Sequence, residues 1–318
     1  MSGIKDTVGN VTTNVLNTVM GSGIFQPVLV QFGPKSANTM EDVNYNTDRI
    51  IEYMERACTG FPGIDMIIFP ECCFQGMAPN NWVKVALDWD SEPIKRVQAK
   101  CKELEIWGCF DPWILNKKRK GIENTCIIIN DQGEIVHKYV KMNPWFPYEP
   151  TLPGHEVPVC KGPKGARIAT LICADSRYQE VWREAVANGA NVVIHVSHWM
   201  GPFGNMQKLS NQAGALFNNV MVLACNSVGM DECFNYPGGS MVCNGFGDIL
   251  QEIPEGVEGM IYWPFAPLTE DVQHQVVPMM ALEWESRHRG AMTPYVGTPD
   301  YQGYDYSDYT AYYGKKKK

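Results

Sequence analysis

Residues 64–71 read Ile-Asp-Met-Ile-Ile-Phe-Pro-Glu: a short apolar run, a proline, then a carboxylate. The run does not alternate polar with apolar positions, so it predicts a strand buried on both faces. Glu71 then falls at the carboxyl edge of a sheet, which is where open α/β sheets hold their ligands. Upstream, 24–32 (IFQPVLVQF) reads as a first strand with Pro27 near its start or at an edge position. Between the two runs, Val43, Thr47, Ile50, Ile51, Met54 and Ala57 recur at helical spacing and predict a helix over 41–58, closed by the turn TGFPG. Downstream, 92–104 reads as a helix and 106–110 as a strand. Residues 124–129 and 135–140 flank Asp131-Gln132-Gly133 as a hairpin.

The second half follows the same logic. Strands are predicted over 167–173, 191–197, 220–226 and 259–263, and helices over 177–188 and 205–218. A further hairpin turns at 244–248. Strands alternating with helices, together with hairpins, imply an α/β fold with mixed sheets and helices on their faces. No linker separates the halves, so one domain is expected over 24–294. A polar arm, 1–23, precedes it, and a Tyr-rich tail ending in lysines, 295–318, follows. The tail cannot build its own core and is expected to be disordered or laid over a neighbouring subunit.

Of the 318 residues 45% are hydrophobic and 19% charged, which supplies a core and excludes disorder as the main state. The net charge of −8 speaks against a general nucleic-acid binder. No run of about 18 apolar residues predicts a membrane helix, and the N-terminus lacks the basic start and apolar run of a secretory signal. A soluble, cytoplasmic protein is expected. Eleven cysteines, an odd number, include Cys126, Cys173 and Cys225 inside apolar runs. The adjacent Cys72-Cys73 lacks metal-ligand spacing, so neither a disulfide scaffold nor a metal site is expected.

Three segments put a reactive side chain at the end of a strand. The first is Glu71. The second is Cys173 in Leu-Ile-Cys-Ala-Asp, where a strand gives way to a helix opening near Ser176. A helix N-terminus there would lower the thiol pKa and stabilise an oxyanion. The third is Lys141, followed by a Pro- and aromatic-rich loop carrying Glu149. Each has a plainer reading: a solvated glutamate, a core cysteine, a snorkelling lysine. Together they form a base, a soft nucleophile and a cation, the parts of an acyl-transfer site. His195 and His198 follow a buried strand without the context of a cysteine protease and read equally well as packing residues.

FPECCFQG around Glu71, HKYVKMNPWFPYEPTLPG around Lys141, LICAD at Cys173, PVCKGPKG before it and HRG at 288–290 resemble the nitrilase superfamily of carbon-nitrogen hydrolases, in its aliphatic amidase and formamidase branch. The resemblance runs from Ile24 to about Gly290. It implies a four-layer α-β-β-α sandwich, no cofactor and no metal. It implies a homo-oligomer built from dimers, commonly a hexamer, in which the C-terminal segment wraps a neighbour. It makes Glu71 the general base, Lys141 the charged stabiliser and Cys173 the nucleophile. Glu149 becomes a second carboxylate orienting the amide nitrogen, and Trp145 a wall of the acyl pocket. Cys72 and Ala174 stand where short-chain amidases of the branch carry tyrosine and histidine, and Thr151 where they carry tryptophan; these changes imply a pocket that is enlarged or differently hydrogen-bonded. His198 and Trp199 complete the candidate substrate-binding set.

The expected activity is hydrolysis of a small carboxamide to an acid and ammonia through a thioester, with a backbone N–H, that of Ala174, helping Lys141 at the oxyanion. Two alternatives stay open: a nitrilase or N-carbamoyl amide hydrolase with the same groups, and a non-catalytic scaffold with a structural cysteine.

Overall fold

Strand β1 (Pro27–Gln31) turns Val28 and Val30 to one side of its sheet and Leu29 to the other, and all three are fully buried. Both faces are covered, which is why the run is apolar throughout. The computed structural model describes residues 23–77, 82–146, 148–232 and 234–269. The expected arm up to residue 22, the end of the expected domain from 270 with its HRG segment, and the tail from Tyr295 lie outside the described residues.

Helix α1 (Met40–Gly60) opens with a reciprocal cap. Thr39 Oγ1 accepts the Asp42 N–H, and the Asp42 carboxylate accepts the Thr39 N–H. It buries the predicted stripe of Val43, Thr47, Ile50, Met54 and Ala57. There follow β2 (Met66–Ile68), the single turn α2 (Trp82–Val85), α3 (Glu92–Leu104), β3 (Trp107–Phe110), β4 (Trp113–Asn116), β5 (Gly121–Ile129) and β6 (Ile135–Val140). The second half comprises β7 (Cys160–Lys161), β8 (Arg167–Ile172), α4 (Gln179–Ala187), β9 (Val192–Ser197), α5 (Gly204–Asn218), β10 (Met221–Asn226), β11 (Val228–Met230), β12 (Asn235–Pro237), β13 (Met241–Cys243), β14 (Ile249–Glu252) and β15 (Gly259–Tyr262).

The first sheet has the order β15-β1-β2-β3-β5-β4, with β6 also paired to β5; the second runs β14-β13-β10-β9-β8-β7. The centre of each is parallel (β1-β2-β3 and β8-β9-β10) and the flanks are antiparallel. Helices α1 and α3 cover the outer face of the first sheet. Its inner face, with Leu29, Ile68, Cys126 and Tyr139, packs on Ile168, Ile172 and Leu223 of the second sheet. Helices α4 and α5 close the far side through Trp182 and Ala215. The result is the four-layer α-β-β-α sandwich. Gly214 sets the spacing of α5 against α4, since a Cβ there would lie 2.6 Å from the Trp182 ring. Across the sheets, His137 Nε2 meets Thr170 Oγ1 at 2.9 Å.

The structure adds short pieces that carry no periodic signal: α2, β4, β7 and the β11–β12 ribbon. It also moves one boundary. Residues 173–177 form a 3₁₀ turn, so the helix predicted from Arg177 starts at Gln179.

Candidate active site

The strand ends converge. Glu71 lies three residues past β2, Lys141 directly after β6, Cys173 directly after β8, and His198 directly after β9. Two of these exits use left-handed backbone at non-glycine residues, Cys72 at φ 56° and Cys173 at φ 44°. Such conformations are costly and persist where the surroundings hold them.

Lys141 is the centre of the arrangement. Its Nζ lies 2.8 Å from Glu71 Oε1 and 2.6 Å from Glu149 Oε2, with all three side chains buried. Asn124 on β5 spans the same two carboxylates: its Nδ2 donates to Glu71 Oε1 at 2.8 Å and to Glu149 Oε1 at 2.9 Å. The other oxygen of Glu71 accepts the main-chain N–H of His198 at 2.7 Å. Glu149 also accepts from the Trp145 N–H and the Thr151 hydroxyl, both at 2.9 Å. Four donors thus fill its acceptor positions. Cys173 opens onto the cavity that Glu71, Lys141 and Glu149 also line, about 120 Å³ in volume. At roughly 10–15 Å³ of such volume per water, this is room for a small molecule. Met77, Trp145, Trp199, Met200, Phe203 and Met206 make its walls largely apolar.

The electrostatics sort the protons. Burial alone would raise the Glu71 pKa, but the adjacent Lys141 charge and the hydrogen bonds it receives outweigh this and hold it below the ordinary glutamate range. Burial likewise opposes the Lys141 charge, and the Glu149 and Glu71 carboxylates overcome it and push its pKa well up. Cys173 goes the other way from the sequence expectation. Burial and the Glu71 charge raise its pKa well above 9.0 against the pull of Lys141. The α4 N-terminus, expected to lower it, begins six residues later. These directions favour a thiol over a thiolate at Cys173 and the ionised form at Glu71.

Residues 29–267 match the carbon-nitrogen hydrolase family. This chain belongs to that family.

A formamidase of Photorhabdus laumondii is 36% identical over 235 residues, covering 73% of this chain and 68% of that one. A formamidase of Helicobacter acinonychis is 32% identical over 287 residues, covering 87% and 84%. In fold, the chain is similar to Saccharomyces cerevisiae Nit3, a member of branch 10 of the nitrilase superfamily, at TM-score 0.73 and 24% identity, covering 82% of this chain and 96% of that one. An amidase variant from Nesterenkonia AN1 gives TM-score 0.70 at 21% identity, covering 84% and 99%. This carbon-nitrogen hydrolase therefore sits in the formamidase and amidase branch of the nitrilase superfamily, and it hydrolyses C–N bonds.

Of the predicted site residues, the hydrolase brings Glu71, Lys141, Glu149, Cys173, Trp145, Ala174, His198 and Trp199 to one cavity. Cys72 is not among its lining residues. That residue is buried, and its N–H is turned to Asp111 Oδ1 at 3.0 Å. Thr151, expected to enlarge the pocket, spends its hydroxyl on Glu149. Both nitrogens of the His198 ring are engaged: Nδ1 meets Ser227 Oγ at 2.6 Å and Nε2 meets Asp231 Oδ2 at 3.3 Å. Trp145 is fixed by stacking on Tyr148 at 4.6 Å and edge contact with Phe234 at 5.9 Å.

Several supporting residues escaped the sequence reading. Asn124 is one. Asp175 is another: it accepts from Tyr139 Oη, the Asn143 N–H and the Ile172 N–H, and so ties the lysine loop to the cysteine turn. His195, already named from the sequence, serves as a hydrogen-bonding residue: its Nε2 meets the Cys173 carbonyl at 3.1 Å. Burial lowers the His195 pKa, which keeps the ring neutral.

Proposed function

We propose that this carbon-nitrogen hydrolase is a cysteine amidase that converts a small carboxamide to a carboxylic acid and ammonia. The observation that carries the reading is the Lys141 ammonium set between Glu71 and Glu149 on the cavity that Cys173 enters. A buried thiol with a raised pKa needs a base at the moment of attack, and Glu71, kept ionised, is that base. Glu71 takes the thiol proton as sulfur bonds to the amide carbon. The oxyanion is held by Lys141 and the Ala174 N–H. The C–N bond breaks as Glu71 returns the proton to nitrogen, ammonia leaves, and a thioester remains. Glu71 then deprotonates water, which attacks the thioester and releases acid and thiol. Glu149, its acceptor positions filled, orients the amide indirectly by fixing Lys141 and the Trp145 loop.

The substrate is a small-molecule amide whose acyl group meets the apolar wall of Trp145, Trp199 and Met200. Neither metal nor cofactor takes part in these steps. A cytoplasmic setting fits the ten free cysteines among the described residues. A homo-oligomer built from dimers fits the exposed Leu209, Leu216 and Phe217 of α5.

The test is ammonia release from formamide, acetamide, propionamide and bulkier amides, run beside nitriles and N-carbamoyl compounds. Amides are expected to turn over, hydroxylamine to divert the thioester to a hydroxamate, and Cys173→Ala to abolish both. Turnover of nitriles or carbamoyl compounds in place of amides would reassign the substrate class, and turnover of none would leave a scaffold.

A further inference from the structure

Asp111 is a fully buried carboxyl group that the reaction as written does not use. It follows β3, behind the loop that carries Glu71, and grips that loop at several points. Its Oδ1 accepts the Cys72 N–H at 3.0 Å, and its own N–H donates to Cys73 Sγ at 3.3 Å. Cys72 is the residue whose backbone takes the left-handed conformation, so the bond to Asp111 helps hold a strained turn directly beside Glu71. The other carboxyl oxygen, Oδ2, is buried with no hydrogen-bond partner among the described residues. A neutral hydroxyl there forgoes one hydrogen bond, a smaller cost than leaving a buried negative charge without donors or a cation.

The charged and titratable groups facing it are Glu71, Glu149, Lys141 and the thiols of Cys72, Cys73 and Cys109. Lys141 is bound to the two glutamates, and Asp111 receives none of its hydrogen bonds. Asn124 Oδ1 is a buried acceptor without a donor, on the strand residue that pairs with Trp113, two positions beyond Asp111.

We propose that Asp111 is a positioning residue that works as a neutral carboxylic acid, its Oδ1 pinning the Glu71 loop through Cys72 while Oδ2 retains the proton. The loop is thereby anchored without a third negative charge in a cluster that holds one ammonium. Burial and the Glu71 charge push the Asp111 pKa well up, against the Cys72 N–H and Lys141, in keeping with this assignment.

The kinetic part of the test rests on Glu71 being the base; the spectroscopic part does not. Infrared difference spectra of the full-length enzyme should show a protonated-carboxyl band that is lost in Asp111→Asn. Asp111→Ala should lower kcat on the order of tenfold to a hundredfold with KM nearly unchanged, because a displaced base is costly even when substrate still binds. The conservative Asp111→Asn, which keeps the acceptor for Cys72 and has no charge to lose, should rescue kcat and leave the acid limb of kcat/KM in place. An acid limb shifted to lower pH in Asp111→Asn, or no protonated-carboxyl band, would overturn the neutral acid. Full kcat in Asp111→Ala would overturn the positioning role. Loss of the Glu71 mechanism would instead appear as unimpaired turnover in Glu71→Gln, with the infrared result unaffected.

Discussion

Asn124 Nδ2 stands 2.8 Å from Glu71 Oε1, a bond between the middle of a strand and a loop 53 residues earlier in the chain. The same nitrogen reaches Glu149 at 2.9 Å, so one amide keeps two buried carboxylates apart and aims both at Lys141. A hydrogen bond to a charged group is worth about 1.5–3 kcal/mol. Asn124→Leu should therefore lower kcat by roughly tenfold to a hundredfold. KM should move far less, and steady-state kinetics separates the two. An unchanged kcat would remove Asn124 from the site.

Lys141 balances two buried carboxylates, so its loss should be felt in the fold as well as in turnover. Breaking a buried pair from one side typically costs about 3–5 kcal/mol. In Lys141→Met, with the ammonium gone, the effect of burial on Glu71 is no longer outweighed and its pKa rises, so the folded variant takes up a proton more readily than the unfolded chain. The stability deficit of the variant is therefore largest above the raised pKa and shrinks as pH falls through it toward the unfolded value. Urea denaturation of both proteins at neutral and mildly acidic pH checks this, and a pH-independent deficit would contradict it.

Glu71 and Cys173 were legible as site candidates because each follows an apolar run, and Lys141 because it closes the second strand of a hairpin; a polar side chain there faces a sheet edge. The buried central strands were legible for a related reason: β1 and β2 are apolar on both faces, which such strands require, while the four-layer stacking came from the family resemblance. Asn124 was not legible, since its role depends on the pairing of β5 with β4 and on which face Asn124 then presents. Asp111 was hidden in the same way, behind a turn whose strained Cys72 no local pattern announces. The Cys173 environment was misjudged because the intervening 3₁₀ turn separates it from the helix, and burial decides its proton.

A thiol of raised pKa has a measurable consequence. Iodoacetamide reacts with the thiolate, so alkylation of Cys173 in the unliganded enzyme should climb with pH through the neutral range and reach no plateau below pH 9. Mass spectrometry of the Cys173 peptide against time gives the rate at each pH. A flat rate across pH 6–8 would instead signal a standing thiolate-ammonium pair and would make Glu71 unnecessary for the first proton transfer.

His137 offers a test of the sandwich rather than of the site. Its ring bridges the two sheets to Thr170, and burial lowers its pKa from 6.5 to about 4. The unfolded chain therefore binds a proton at a higher pH than the folded one. Stability is complete above the unfolded value and is lost as pH falls from 6.5 toward 4. Between pH 7 and pH 5 the loss from this residue alone should be about 2 kcal/mol. His137→Gln keeps a side-chain hydrogen-bonding group near Thr170 but has nothing to titrate, so its stability should change less over that interval by this amount. Denaturation midpoints of both proteins at pH 7 and pH 5 give the comparison. Parallel losses in the two would show that the acid sensitivity of the fold arises elsewhere.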